Sequence, residues 1–325
     1  MATLRYLCSG GNFQLISEIP RIAPSTLSHI IPEVCEAIWK ILGPQYIQLP
    51  TTQEEWKEKS DEFLAKWDYP FSCGALDGKH VRLKCPGRSG TTCYNYKQFF
   101  SLVLLALADA NHNFLFVDIG AEGASNDSGI YNRSKLHELL QNGELDFPET
   151  PRGDGLECNF HFLGDDCFSQ SPTLFKPYPP ESREEYKLTY NYRHSRARRI
   201  IESAFGILSH RFAVIFGPIC QDWEHAIATV KACCVLHNFL NKHEGINSQE
   251  ERAGMEAADT QQIRHPPVGP VQGPLNADDN EQKKRLAEYF CTEAGAIKKF
   301  DQNERIYRTG RREPSAAAAA NEGNS

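Results

Sequence analysis

Three acidic residues stand where acids are costly. Asp77 follows Gly74-Ala-Leu in an otherwise apolar run and precedes Gly78-Lys-His80. Asp165, with Asp166 beside it, comes directly after Phe162-Leu-Gly. Glu202 lies in Arg198-Arg-Ile-Ile-Glu-Ser-Ala-Phe-Gly206, where Ile201, Ala204, Phe205 and Leu208 supply apolar surface at helical spacing. Burying an ionised carboxylate is unfavourable unless a cation compensates it. Acids far apart in sequence, at strand ends and on a facing helix, are what metal-assisted phosphodiester cleavage needs. Hard divalent ions take oxygen ligands, and two of them about 4 Å apart neutralise both the attacking and the leaving oxygen. Each acid also has an ordinary reading: Asp77 as a turn acid before Gly78, Asp165 as a cap, Glu202 as a helical partner of Arg198 or Arg199.

The surrounding charge is uneven. The 325-residue chain carries a formal net charge of −7, which argues mildly against a nucleic-acid partner. Between Lys187 and Arg211, however, six Lys and Arg face a single acid, Glu202. The eleven cysteines are odd in number and form no CxxC pair, the pattern of reduced thiols. Cys233 and His237, four apart on an apolar helix, read as core packing, because two ligands of a tetrahedral zinc site are missing. No signal peptide is seen, and the longest apolar stretch, Phe99–Ala108, has about half the ~20 residues of a membrane helix. The expectation is a soluble intracellular protein.

The elements that must position the acids can be sketched from periodicity. Residues 1–45 read as helical, with Asn12–Glu18 short and amphipathic and Ser25 capping a second helix. Leu27, Ile30, Ile31, Val34, Ile38, Ile41 and Leu42 form its buried stripe, and Pro32 should kink it. This is the outline of a helix-turn-helix DNA reader, or of a helical cap packed on the main domain. Residues 46–70 form a connector with a helix over Thr51–Lys66. The main domain spans 71–244. Strands are predicted at Ala75–Cys85, Phe99–Ala110, Phe114–Ala121 and Phe160–Leu163, with a turn at Asp109–His112. Helices are predicted at Ser128–Asn142, Arg193–Ser209 and Ala226–His243. The order implies an α/β fold, a mixed sheet with helices packed on it. Residues 245–325 are poor in apolar residues and should be largely disordered, apart from a short helix at Gln282–Tyr289.

The stretch Gly74–Ile207 resembles the catalytic domain of PIF/Harbinger-type transposases and the nucleases derived from them. The matching segments are Gly-Ala-Leu-Asp-Gly-Lys-His-Val, Tyr94-Asn-Tyr-Lys-Gln-Phe-Phe-Ser101, Gly123-Ala-Ser-Asn-Asp-Ser-Gly-Ile-Tyr131 and Leu163-Gly-Asp-Asp-Cys-Phe168. The last runs Tyr190-Asn-Tyr-Arg-His-Ser-Arg-Ala-Arg-Arg-Ile-Ile-Glu-Ser-Ala-Phe-Gly206. Leu4–Leu42 is similar to that family's helix-turn-helix region, so the resemblance extends to about residue 240.

The resemblance implies an RNase H-like fold, with the first acid on the first strand, the second after the fourth strand and the third on a later helix. Asp77, Asp165 and Glu202 match those positions, and Asp165 is preferred to Asp166 because the family's acid follows the glycine directly. Asp127 would be a supporting ligand. The implied activity is a DNA endonuclease using two Mg²⁺ or Mn²⁺ ions, with strand transfer as an extension. Lys97, Arg196, Arg199 and Arg211 are candidate phosphate contacts. DNA is the expected partner, together with a Myb/SANT-type DNA-binding protein. The nucleus is the expected compartment, with the cytoplasm as an additional location, and Lys283-Lys284-Arg285 and Arg308–Arg312 are candidate import signals. The competing functions are a non-catalytic DNA- or protein-binding factor and an inactive transposon remnant.

Overall fold

The computed structural model describes residues 1–18, 20–84, 93–95, 97–150, 156–264 and 277–296. Its centre is a five-stranded mixed sheet: β1 (Ser72–Arg82), β2 (Ser101–Ala108), β3 (Phe114–Glu122), β4 (His161–Leu163) and β5 (Leu174–Phe175), in the order β3-β2-β1-β4-β5. The β1–β2 and β2–β3 pairs are antiparallel, while β1–β4 and β4–β5 are parallel. Asp109 organises the β2–β3 turn by accepting from the amides of Asn111 and Asn113. β2 is buried along its whole length, as its unbroken run of apolar residues requires when both faces are covered.

Two cores sit on opposite faces of the sheet. On one, Ala75, Val81, Leu104 and Ala106 meet Ile201, Ala204, Phe205 and Leu208 of α7 (Glu185–Arg211). On the other, Leu76, Val103, Leu105 and Leu107 meet Ile130 and Tyr131 of α5 (Asp127–Arg133), together with Phe162 and Phe168. The predicted single helix over 128–142 is two: α6 (Lys135–Gln141) begins at Ser134, whose hydroxyl caps the His137 amide. A Ser side chain competes with helical backbone bonding in this way.

The N-terminal region holds α1 (Ala2–Ser9), one helix more than the two the sequence pattern delimits within residues 1–45, then α2 (Phe13–Ser17) and α3 (Pro24–Tyr46). Pro24 is the first residue of α3 and Ala23 its N-cap, so Ser25 is inside the helix rather than capping it. Pro32 lies within α3 without interrupting it. The buried stripe is Leu27, Ile31 and Cys35, whereas Val34 and Ile41 are exposed. α3 packs on α8 (Trp223–His243) and against α1 and α2, the arrangement of a helical cap. α4 (Gln53–Trp67) starts as expected, with the Thr52 hydroxyl accepting from Glu55 and Glu55 accepting from the Thr51 amide.

The region after 245 departs from the expectation of disorder. α9 (Ser248–Arg264) lies along α7, and α10 (Ala277–Tyr289) buries Leu286 and Ala287. α9 approaches through small residues. A Cβ added at Gly206 would sit 2.7 Å from the Ala257 Cβ and 2.9 Å from the Gly254 Cα. Close backbone approach substitutes here for large apolar side chains, so a scan for Leu and Ile misses it. The described part of this region ends at residue 296; the remaining tail, with Arg308–Arg312, lies outside the described residues.

Candidate functional site

Parallel pairing of β1 with β4 builds the first half of the site. The register sets Ala75 opposite Leu163. Two residues further along each chain come Asp77, still on β1, and Asp165, just past the end of β4. Asp77 is 6% exposed and on the face of β1 that meets α7. Asp165 begins the loop after β4, its Oδ1 accepting from the Cys167 amide at 3.0 Å.

α7 and α5 bring the rest. Glu202, 3% exposed, projects from the turn of α7 that packs on β1. Its Oε1 accepts from Arg198 Nη2 at 2.5 Å, while Arg198 Nη1 lies 3.6 Å from Asp77 Oδ2. Glu202 Oε2 is buried and has no hydrogen-bond partner. Asp127 opens α5, after Asn126 caps the helix by accepting from the Gly129 amide. Its carboxylate fills the space beside Gly78, where a Cβ would lie 2.3 Å from Oδ1. Any larger residue at 78 would displace Asp127, which gives a physical reason for the Asp-Gly sequence.

The electrostatics reflect three carboxylates, Glu202, Asp77 and Asp165, around one guanidinium, with Asp127 beside Asp77 and Asp165. Burial pushes the Asp77 carboxyl well above the usual range; Arg198 opposes the shift, and Asp165, Glu202 and Asp127 add to it. Asp127 is pushed up to about 6, by burial and then by Asp165, with Lys97 opposing. Asp166 is also raised, by burial and by Asp165, with Arg198 opposing, but it is exposed. Burial works against the charge of Arg198 and is outweighed by Glu202, Asp77 and Asp165, which hold its pKa above the ordinary value. Lys79, two residues beyond Asp77, sits 5.7 Å over the Phe205 ring and is lowered to about 8, mainly by burial. Lys97 is close enough to affect both Asp127 and Lys79.

The donor set is right for a hard cation, since the acids supply only oxygen. The unpartnered Glu202 Oε2 and the Asp127 carboxylate held against Gly78 both fit such an ion. As the side chains stand, no three His, Cys, Asp or Glu among the described residues converge closely enough to hold one. The Arg198 guanidinium lies among them instead.

Of the candidate phosphate contacts, only Lys97 lies near these acids. Arg196 pairs with Asp68 at 2.8 Å, and Arg199 pairs with Asp259 of α9. Arg211 is drawn inward to Glu250, Asn241 and the carbonyls of His237 and Gly245. The sequence alone marks Arg198 only as a helical partner for Glu202 and gives Lys79 no role. Their signal was spacing, four residues before Glu202 and two after Asp77. Cys233 and His237 are core residues, with His237 Nε2 donating to the His112 carbonyl at 2.8 Å. The ten described cysteines are free thiols. Among the described residues no helix is long and apolar enough to cross a membrane. Lys283, in one candidate import signal, is buried over the Tyr178 ring.

A sequence profile of the family described as DDE superfamily endonuclease matches residues 76–238, half of the chain and the whole stretch from Asp77 to Glu202. The chain belongs to this endonuclease family. Among curated relatives of this DDE chain, "Protein ALP1-like" of Arabidopsis thaliana is 27% identical over 241 residues, 73% of this chain and 58% of that one. "Putative nuclease HARBI1" of Rattus norvegicus is 25% identical over 287 residues, 87% of this chain and 74% of that protein. The Homo sapiens protein of the same name is 26% identical over 247 residues, covering 75% and 66%. The chain thus spans just under three fifths of the plant relative's length. No solved structure matches. The mixed sheet with flanking helices is consistent with a DDE nuclease fold.

The raised Asp127 pKa has a measurable consequence. Its unfolded value is near 3.8 and its folded value about 6, so the folded chain binds the proton more tightly between those pH values. The stability this contributes is complete below about 4 and is lost as pH rises through 6. Asp127→Asn should leave metal-free stability unchanged near pH 4 and raise it at pH 7.5, on the order of 2 kcal/mol for this partly solvated group. Urea unfolding of variant and parent at the two pH values checks this. An equal difference at both would sink it.

Proposed function

We propose that this chain is a transposase-derived, metal-dependent DNA endonuclease with an RNase H-like catalytic domain. The observation that carries the reading is the gathering of Asp165, Asp127 and Glu202, from the β4 loop, α5 and α7, around Asp77 in the middle of β1. The strand order, with the first acid on the central strand and the second beyond its parallel neighbour, supports the RNase H-like assignment. Asp77, Asp165 and Glu202 would hold the ions, Mg²⁺ or Mn²⁺, with Asp127 in support. Bound divalent ions supply neutralisation of the charge that builds on the attacking and leaving oxygens. The chain's own part is to aim those oxygens from three rigid elements and to exclude bulk water with the Phe205 and α7 surface. Lys97 and Lys79 hold phosphate oxygens at the rim. A freed 3′-hydroxyl seated in the same place would permit strand transfer. A chromosomal substrate calls for the nucleus, and a separate Myb/SANT-type protein would supply sequence recognition.

The test is cleavage of a labelled duplex by the full chain with Mg²⁺ or Mn²⁺, beside an EDTA control. Cutting that requires the metal supports the proposal. A folded chain that binds DNA but never cuts, with or without the proposed partner, overturns it. That outcome would favour the reading of a non-catalytic binding factor, for which the relevant observation is that Arg198 already pairs with two of the acids.

A further inference from the structure

We infer that Arg198 is a built-in counter-ion of the acidic site, one that a divalent cation must displace from Asp77 in order to bind. This rests on the metal-site reading above. Three observations on α7 and β1 lead to it.

The first is charge. Asp127, Asp165 and Glu202 all act on Asp77, and Arg198 is the guanidinium that faces Glu202, Asp77 and Asp165. A guanidinium stays protonated in any protein environment, so Arg198 can leave the site only by moving. The second is geometry. Arg198 bonds Glu202 at 2.5 Å along one helical turn, whereas its Nη1 stands 3.6 Å from Asp77 Oδ2, beyond hydrogen-bond range. The Glu202 contact is local to α7. The Asp77 contact crosses from helix to sheet and is the weaker of the two. The third is the unused oxygen. Glu202 Oε2 is buried, unpartnered and on the same carboxylate whose Oε1 Arg198 holds. Leaving such an acceptor unmade is costly, and Arg198 has not turned to fill it.

These observations assign the pieces. Glu202 can keep Oε1 on Arg198 and offer Oε2 to a cation. Asp77 cannot serve Arg198 and a divalent ion together, because a guanidinium and a metal ion within a few ångströms repel strongly in a buried site. Arg198 therefore steadies the acids while the site lacks metal and competes with the metal when it arrives. It is a positioning residue and touches no reacting atom.

The experiment is Mn²⁺ titration of the full chain by calorimetry, with melting temperatures taken with and without Mn²⁺, on the parent, Arg198→Met and Arg198→Lys. Methionine keeps much of the length and removes the charge. Arg198→Met should melt lower than the parent without metal, bind Mn²⁺ roughly tenfold tighter, and show the larger rise in melting temperature on adding it. Arg198→Lys, a shorter arm that keeps the charge, should fall between parent and Met in both readouts. If Arg198→Met does not fold, Arg198→Lys decides alone: Mn²⁺ affinity above the parent's supports the inference, and unchanged affinity overturns it. Parent binding with Arg198→Met equal or weaker shows that Arg198 is scaffold, and overturns this inference while leaving the metal site standing. No Mn²⁺ binding by parent or variants overturns both.

Discussion

Asp77→Asn and Asp165→Ala should each abolish metal-dependent cleavage by the full chain while leaving it folded. A lost ligand to the ions removes several kcal/mol of transition-state charge stabilisation, which is roughly a 10³-fold loss or more. The distinguishing feature is stability. Asp77 sits in a site that disfavours its ionised form, through burial and three neighbouring acids. Neutral asparagine escapes that penalty, so the metal-free variant should melt at or above the parent's temperature at pH 8. Glu202→Gln should lose activity to a similar degree. Asp166→Asn is the internal control: this residue is exposed and is not among the acids that raise Asp77, so its loss should stay under about tenfold. Duplex cleavage rates beside thermal melts check the set. A large loss in Asp166→Asn with near-normal Asp165→Ala would move the second ligand by one residue. Retained cleavage in Asp77→Asn would remove the site altogether.

The sequence marked these acids because each interrupts apolar surface, at Leu76-Asp77, at Leu163-Gly-Asp165 and at Ile201-Glu202. A pattern that local can be read without the fold. The partnership between them cannot, since it depends on parallel pairing of β1 with a three-residue strand almost ninety positions later. The close contact of Asp127 with Gly78 was likewise visible only as two separate motifs. C-terminal helix ends were legible where large apolar residues recur, as in α7 and α8, whereas α7 begins at Glu185, eight residues before the predicted start. They were not legible in α9, which packs through Gly254, Ala257 and Ala258. The α3 stripe misled differently. Its apolar residues cover more of the helix surface than α8, α1 and α2 can bury, so Val34 and Ile41 remain exposed.

The basic strip of α7 shows why charge alone does not identify a DNA contact. Six cations lie between 187 and 211, yet helical geometry sends them in different directions: Arg198 into the acidic site, Arg196 to Asp68, Arg199 to α9. Arg193 lies over the Phe290 ring, donating to the Gly295 carbonyl.

Arg211 gives the sharpest test of that sorting. Its side chain is 5% exposed, with Nε and Nη2 on the two Glu250 oxygens at 2.7 and 3.0 Å. Nη1 donates to Asn241 and to the His237 carbonyl. Glu250 in turn accepts from the Asn247 amide, and its carboxyl is held below the usual range, chiefly by Arg211. The guanidinium thus joins the end of α7 to α8 and to the first turn of α9. Removing one partner of a buried pair leaves the other charged and unsatisfied, a loss of about 3 kcal/mol. Arg211→Met should therefore lower the melting temperature by roughly 4–5 °C for a chain of this size. A phosphate contact would behave otherwise. Its loss would spare the fold and flatten the salt dependence of DNA binding by nearly one unit of slope, the result expected for Lys97→Ala. Below its melting range, Arg211→Met should keep the parent's slope. A normal melt with a flattened slope would return Arg211 to the DNA surface and show that the Glu250 clamp gives way to phosphate.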